Sequence, residues 1–415
     1  MNRYWKLISI VLITVFVIGF FYIQSSTAMS NNPEFIIEKV SGSDDEGKKL
    51  SVFGDYITQG IHQDTVRIDE QETIYTNELS YIESLNGVYN TPEIKQLQRN
   101  YRNFMRGKEL NPTLFYEDEA YLAYANIEGD YYELDHRQSN FTFEIEVLDK
   151  ESKEVTSINE TLPKQKEYSF AYVVDVQKLD DKLKVLVQIE SAINQSYETV
   201  EEIHIYTFDL KSQTLIGDDI VVSSGSSQQN ENSTISNRLS IFNDLETIQP
   251  QHYLLIEKVK VKEVQEGDES STEEIDQTFT LYNYETNEQK ELFNEKQQMD
   301  FENIYLYGST IYFINITANG LEILPYQIEN GKFSTKQTID INIPERLDES
   351  GSPTIKLKNN RMYVVSPYKD LKTEAVILVA DLKTWKTVYE GAIEATNSSK
   401  SEEDYTLRIN SLNIE

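Results

Sequence analysis

Four histidines, His62, His136, His204 and His252, are the only imidazoles in the 415-residue chain, and there is no cysteine. No two histidines stand at a spacing that would place them on one metal ion. A Ser-His-Asp triad would need the fold to bring one of them to a serine and an acid far away in sequence. His204 alternates with Ile203 and Ile205, which places it on the polar face of a strand. Each of the four reads as an isolated surface or turn residue. Carboxylates are abundant, with 70 Asp and Glu. The adjacent pairs Asp180-Asp181, Glu201-Glu202 and Asp218-Asp219 fall at turns or strand ends. A pair of acids brought together by a fold can hydrolyse a glycosidic bond. With so many acids, however, chance proximity is expected and no pair is singled out. EF-hand loops and phosphate-cradling glycine loops are absent. The sequence therefore assigns no catalytic, cofactor-binding or metal-ligating residue, and no cofactor is expected.

One cationic feature stands against the acidic background. Lys95, Arg99, Arg102 and Arg106 recur at helical spacing, beside an apolar stripe of Ile94, Leu97, Tyr101, Phe104 and Met105. Such a row could bind a partner, either an anionic polymer or an acidic groove on a protein. In a chain this acidic, the expectation is that its own acids neutralise it, for instance Glu117, Asp118 and Glu119. The net charge is −32, and −34 once the leader cations Arg3 and Lys6 are set aside. That charge repels phosphate backbones and acidic headgroups, so it argues against nucleic acid as a partner and against a domain lying flat on an anionic membrane. It suits solubility in a salty exterior, or the capture of a basic ligand. Tyrosine is frequent, with 27 residues. Some could stack on sugar rings, but tyrosine also fits half-buried strands with its hydroxyl at the wet edge.

The elements that must position these groups are mostly strands. The exception is a predicted helix within Thr91–Lys108, with Thr91 as cap, Pro92 in the first turn and Gly107 as terminator. A second short helical stretch is expected around Asn77–Leu85. Elsewhere short runs rich in Tyr, Val, Ile and Phe alternate with Asn, Asp, Gly, Ser and Lys turns. They include Thr142–Leu148, Phe170–Val176, Lys184–Ile189, Ile203–Leu210, Phe279–Tyr284, Asn303–Leu306, Thr310–Ile316, Arg361–Ser366 and Ala375–Asp381. The alternation of apolar and polar residues predicts half-buried antiparallel strands. A strand-turn-strand unit recurs at 144–155, 205–216, 280–293, 324–339 and 377–391. Between units, 223–237 and 264–277 are polar and charge-rich, and read as loop insertions.

The recurring unit, with its Asp-Leu-x-Thr type of turn, resembles the outer hairpin of β-propeller blades over roughly 142–394. The chain resembles extracytoplasmic β-propeller-like proteins in general architecture. The Gly-His and Trp-Asp dipeptides of the WD40 family are absent. The resemblance implies an all-β fold, a β-propeller of undetermined blade number, joined to one amphipathic helix near 92–106.

The address comes from the leader. Arg3 and Lys6 precede an uncharged apolar run, Leu7–Ile23. Its length lies between a signal-peptide core of ~7–15 residues and a spanning helix of ~17–25. Phe20, Phe21 and Tyr22 suit a bilayer interface. The expectation is an uncleaved anchor: residues 1–28 form a single-pass transmembrane segment with the N-terminus cytoplasmic and the rest outside. The alternative is secretion after cleavage at Ala28, where Ser26-Thr27-Ala28 offers small residues. Residues 29–130 read as an irregular first blade or a small α+β segment, and 131–415 as the β-rich, propeller-like domain. The function expected is a membrane-tethered extracytoplasmic binding or regulatory module without catalytic activity. Its partner would be a protein or cell-wall polymer. The alternatives are a carbohydrate-active enzyme using paired carboxylates and a sensory subunit regulating a membrane kinase.

Overall fold

The computed structural model describes residues 12–14, 16, 32–58, 62–79, 90–129, 140–192, 199–230, 233–266, 269–292, 301, 303–317, 320–341, 352–367, 373–396 and 405–415. The described residues are dominated by antiparallel strands in sheets of four or five, an all-β architecture consistent with a propeller-like fold. The chain divides into two compact units. The first holds Met1–Pro92, Ile316–Glu322 and Gln337–Glu415; the second holds Glu93–Asn315 and Ile323–Lys336. Most of the Leu7–Ile23 run lies outside the described residues. Leu12, Ile13, Thr14 and Phe16 are helical, and among the described residues no helix is long and apolar enough to cross a membrane.

In the second unit, consecutive strands pair as meanders. Residues 115–161, 168–223 and 228–292 each form one sheet, and the strands from Asn303–Tyr307 to Lys332–Phe333 form another. These sheets pack face against face. The 168–223 sheet contributes Leu183, Val185, Val187 and Ile189 to a core shared with the 115–161 sheet. Its opposite face gives Val174, Leu186, Ile203 and Ile205 to a core shared with the 228–292 sheet. The central strand Lys182–Ala192 is thus covered on both sides, and its apolar residues Leu183, Val185, Leu186, Val187 and Ile189 are buried on both faces. Alternation in these inner strands does not mark a wet face. The polar residues on them point into a second sheet.

The recurring unit of the sequence becomes one recurring turn. At Asp149, Asp209, Asn283 and Asp381 a side-chain oxygen accepts backbone N–H bonds from the turn that follows, as from Glu151 (2.9 Å) and Ser152 (2.8 Å) onto Asp149 Oδ1. The residue four positions on then bonds back to the first carbonyl, at 2.7–3.0 Å in Lys153, Gln213, Asn287, Gly331 and Trp385. Each of those five residues has φ between 57° and 65°. A short acid or amide suits the first position because it mimics a backbone acceptor. Lys, Gln and Trp at a left-handed φ carry strain that glycine would not. The residue after the acid donates to the neighbouring hairpin loop: Lys150 to Ala120, Leu210 to Asp181, Tyr284 to His252, Ile328 to Ser309 and Leu382 to Asn360. The turn therefore fixes both the register of its own hairpin and the lateral contact beside it.

In the first unit, chain ends are exchanged between sheets. Phe35–Gly42 pairs with Thr387–Ala395 at the edge of the 354–395 sheet. Tyr405–Ile414 pairs with Leu50–Thr58, which continues into His62–Ile68 and Thr73–Tyr75. An aromatic cluster of Phe35, Tyr56, Tyr75 and Tyr405, with ring centroids 5.4–6.4 Å apart, fills the space between these sheets. Phe35–Gly42 and Tyr405–Ile414 each pair along one side and form an edge strand of their sheet.

Two expectations change, and a third falls mostly outside the described residues. The polar segments 223–237 and 264–277 are not loop insertions. They contribute to Gln228–Asn230, Ser233–Ile241, Tyr253–Glu266 and Glu269–Asn283, where ladder hydrogen bonds carry the hairpin beyond its apolar base. Of the stretch expected around Asn77–Leu85, the described residues form a 3-10 turn, Thr76–Glu78, and residues 80–85 lie outside the described residues. The helix predicted over 92–106 runs Pro92–Asn100. Asn100 and Asn103 are weak helix formers, and Gly107 at φ 82° closes the segment.

Buried polar groups pin the inner faces. Asp175 is 5% exposed and accepts from the Tyr284 hydroxyl (2.8 Å), the Val176 N–H (2.9 Å) and the Gln177 amide. Burial pushes its carboxyl up to about 6, against the lowering effect of those donors. Lys184, 5% exposed, donates to the Tyr282 hydroxyl, the Tyr284 carbonyl and Asn287 Oδ1. Both side chains tie the 168–223 sheet to the 228–292 sheet.

Two outcomes follow for stability. Asp149→Ala should lower the thermal midpoint by a few degrees, Asp149→Asn should retain most of it, as Asn283 fills the same position, and Lys153→Gly should raise it. Calorimetry on the three variants checks this. Asp175 has a folded pKa of about 6 against 3.8 unfolded, so the folded state holds the extra proton between those values. Its contribution is present at low pH and is lost as pH rises through that window. Urea unfolding from pH 4 to 7 should show this decline in the wild type and a shallower one in Asp175→Asn. Parallel profiles would remove Asp175 as the cause.

Candidate functional site

A concave site of about 490 Å³ opens in the second unit. Its walls come from three stretches. Glu109 and Asn111 follow the Pro92–Asn100 helix and lead into the 3-10 turn Pro112–Leu114. Asn126, Ile127, Glu128 and Gly129 form the end of the Tyr121–Glu128 strand and the residue after it. Tyr172 and Val173 come from the Tyr168–Leu179 strand. Leu114, Ile127 and Val173 are buried and give the site an apolar floor.

Local sequence sets these positions. The apolar side of the helix, Ile94 and Leu97, and then Phe104 and Met105, anchor the segment in the same core as the 115–161 sheet. Asn111 Oδ1 accepts the Thr113 N–H at 3.2 Å and starts the 3-10 turn. The Glu109 N–H donates to the Tyr124 hydroxyl at 3.4 Å, which fixes the chain above the strand. Asn126 Oδ1 accepts from the Ile127 N–H at 2.8 Å.

The electrostatics are acidic. Glu109 and Glu128 are exposed at the rim. Burial, then the charge of Glu128, holds the carboxyl of Glu144 above its usual range, while Lys108 opposes the shift. Lys108 is engaged with Glu146 and lies over the Phe104 and Tyr124 rings, 4.2 and 5.2 Å from their centroids. Tyr172 is 45% exposed and Phe170, two residues earlier on the strand, 42%. Partial burial, then Glu190 and Glu201, raises the Tyr172 phenol. Glu190 and Glu201 stand directly opposite one another on adjacent strands. The wall residues include no serine, histidine, lysine or threonine. What the arrangement offers is two carboxylates, two amides and an aromatic side chain over an apolar floor, a set suited to holding a cationic or hydroxyl-rich group.

The residues of the sequence row are not among those lining this pocket. Lys95 and Arg99 are on the helix, and Arg102 and Arg106 in the turns that follow it. Arg99, Arg102 and Arg106 are exposed. The acids named as their partners are engaged elsewhere: Glu117 with Lys150, and Asp118 with the Tyr116 hydroxyl and the Ala120 and Tyr121 N–H groups. The reading of His204 as a surface residue is corrected: it is 1% exposed. Nδ1 lies 2.8 Å from Asp218 and Nε2 3.1 Å from Glu202, and the ring stacks on Tyr206. Two of the acid pairs noted in the sequence thus converge on one histidine, with both ring nitrogens occupied. His252 is exposed beside Glu285, His62 begins a strand, and His136 lies outside the described residues. Among the described residues no cluster of three acids or histidines could hold a metal ion. The pocket itself had no sequence signal: Glu109, Glu128 and Tyr172 are far apart, and each is of a common type.

No family model and no curated protein matches the sequence. Solved structures found similar include a protein from Bacteroides ovatus described as a hydrolase, with TM-score 0.25 and 10% identity over 71% of this chain and 88% of its own. The luciferin-regenerating enzyme matches with TM-score 0.25 and 12% identity over 69% and 94%. A prolyl endopeptidase matches with TM-score 0.22 and 9% identity over 75% of this chain and 53% of its own. The activities in these names belong to those proteins, and likeness at this level assigns none to this chain.

Proposed function

We propose that the protein is a membrane-tethered, extracytoplasmic binding module without catalytic activity, built on a β-propeller. The meander sheets, the repeated capped turn and the exchange of terminal strands support the propeller. The Leu7–Ile23 run with Arg3 and Lys6 before it supports the tether, with the N-terminus cytoplasmic. The binding reading rests on one observation: the open site carries Glu109, Glu128, Asn111, Asn126 and Tyr172 above an apolar floor, with no serine, histidine, lysine or threonine in its wall. With two acids and one tyrosine in its wall, it suits a ligand that presents an ammonium or guanidinium group. The ring face of a tyrosine attracts such a cation as well. The chain's overall charge of −32 adds long-range attraction and raises the encounter rate.

Fluorescence titration with a labelled lysine pentapeptide tests the site. Glu109→Gln and Glu128→Gln should each weaken binding about tenfold, on the order of 1.4 kcal/mol, and the gap should close with added salt. Unchanged affinity in both variants would overturn the assignment. Hydrolysis of a glycoside that either variant abolishes would put the carbohydrate-active reading in its place. For the tether, full-length protein should sediment with membranes and begin at its first residues. Soluble protein starting at Met29 would instead establish cleavage after Ala28.

A further inference from the structure

Cations in this molecule are scarce, 38 Lys and Arg against 70 acids, and near the helix several are spent on internal contacts. Lys108 pairs with Glu146, and Lys150 with Glu117 and the Asp118 carbonyl. Arg99, Arg102 and Arg106 behave differently. All three are exposed. Among the described residues none of them makes an ion pair or a side-chain hydrogen bond. Glu109 and Glu119, exposed in the same stretch of chain, are not recruited. In so acidic a molecule, three neighbouring arginines left without carboxylate partners form a local reversal of sign.

The reversal stands on a fixed support. Ile94, Leu97, Phe104 and Met105 are 0–7% exposed in the core below. Tyr101 N–H bonds to the Leu97 carbonyl (2.8 Å) and Met105 N–H to the Tyr101 carbonyl (2.9 Å), so helical spacing persists beyond Asn100. Lys150 lies over the Tyr101 ring, 5.2 Å from its centroid. Arg99 lies in the last turn of the helix, and Arg102 and Arg106 follow three and four residues apart in the turns after it. Arginine's planar fork grips phosphate through two hydrogen bonds at once.

We propose that Arg99, Arg102 and Arg106 form a docking face for a polyanionic chain of repeating phosphates. Three cations spaced along one anchored segment suit a polymer better than a single anion. A flat anionic bilayer would bring the remaining acidic surface against its own charge. This face is independent of the acidic pocket, with which it shares no residue.

Fluorescence anisotropy of the full-length protein with end-labelled inorganic polyphosphate, at about 0.1 M salt, tests the proposal. The triple variant Arg99→Gln/Arg102→Gln/Arg106→Gln should lose at least tenfold in affinity, with its melting midpoint unchanged because no internal contact is removed. Replacing all three by lysine should retain part of the binding, and Glu109→Gln should retain all of it. Equal binding by wild type and the glutamine variant, or no binding by the wild type, would overturn the proposal. Equally tight, arginine-dependent binding of polyglutamate would overturn the choice of phosphate, and tighter binding of phosphatidylglycerol vesicles would overturn the choice of a polymer.

Discussion

Register in this protein is held at the hairpin ends, by a side-chain oxygen that accepts the N–H groups of its own turn. At Asp149, Asp209, Asn283 and Asp381 the acceptor closes the loop, and a left-handed residue four positions later turns the chain back. A slip of one residue in any of these hairpins would swap its two faces. In the second unit both faces of the inner sheets are covered, so such a slip would misplace groups in two cores at once. The strain of Lys153, Gln213 and Trp385 at positive φ is tolerated because hydrogen bonds on either side determine the turn.

Covering both faces has a chemical consequence. Strands that alternate apolar and polar residues must satisfy the polar ones without water. Asp175, Lys184 and His204 each do so through a neighbouring strand or sheet, by hydrogen bonds to Tyr284, to Tyr282 and Asn287, and to Glu202 and Asp218. Tyrosine supplies both parts of this arrangement, an apolar ring for the core and a hydroxyl for the buried acceptor. Directional contacts of this kind specify which faces meet. Asp175 bears the desolvation cost in its raised carboxyl.

Charge is distributed with the same locality. The pocket acids Glu109 and Glu128 and the exposed arginines belong to one short stretch and the strand beneath it. Ile94, Leu97, Phe104 and Met105 anchor that stretch in the core beneath. Binding of a cation in the pocket and of an anion on the arginines can therefore be carried by one rigid element.

The sequence alone determined the class of the fold and its repeating hairpin. β-Branched and aromatic runs bounded by Asp, Asn and Lys turns are local signals, and the five repeats 144–155, 205–216, 280–293, 324–339 and 377–391 each fold into the same turn. It also located the helix and its cationic row, though not where the helix ends. Tertiary structure alone decided which faces are wet. His204 lies between apolar neighbours in a pattern that marks a solvent face in a one-sided sheet, yet it is buried, held by Glu202 and Asp218 and stacked on Tyr206. The pairing of Phe35–Gly42 with Thr387–Ala395 joins residues some 350 positions apart, and no local pattern encodes a partner at that separation. The pocket was hidden for the same reason. Glu109, Glu128 and Tyr172 are ordinary residues in an acidic, tyrosine-rich chain, and only the packing of three distant segments makes them neighbours.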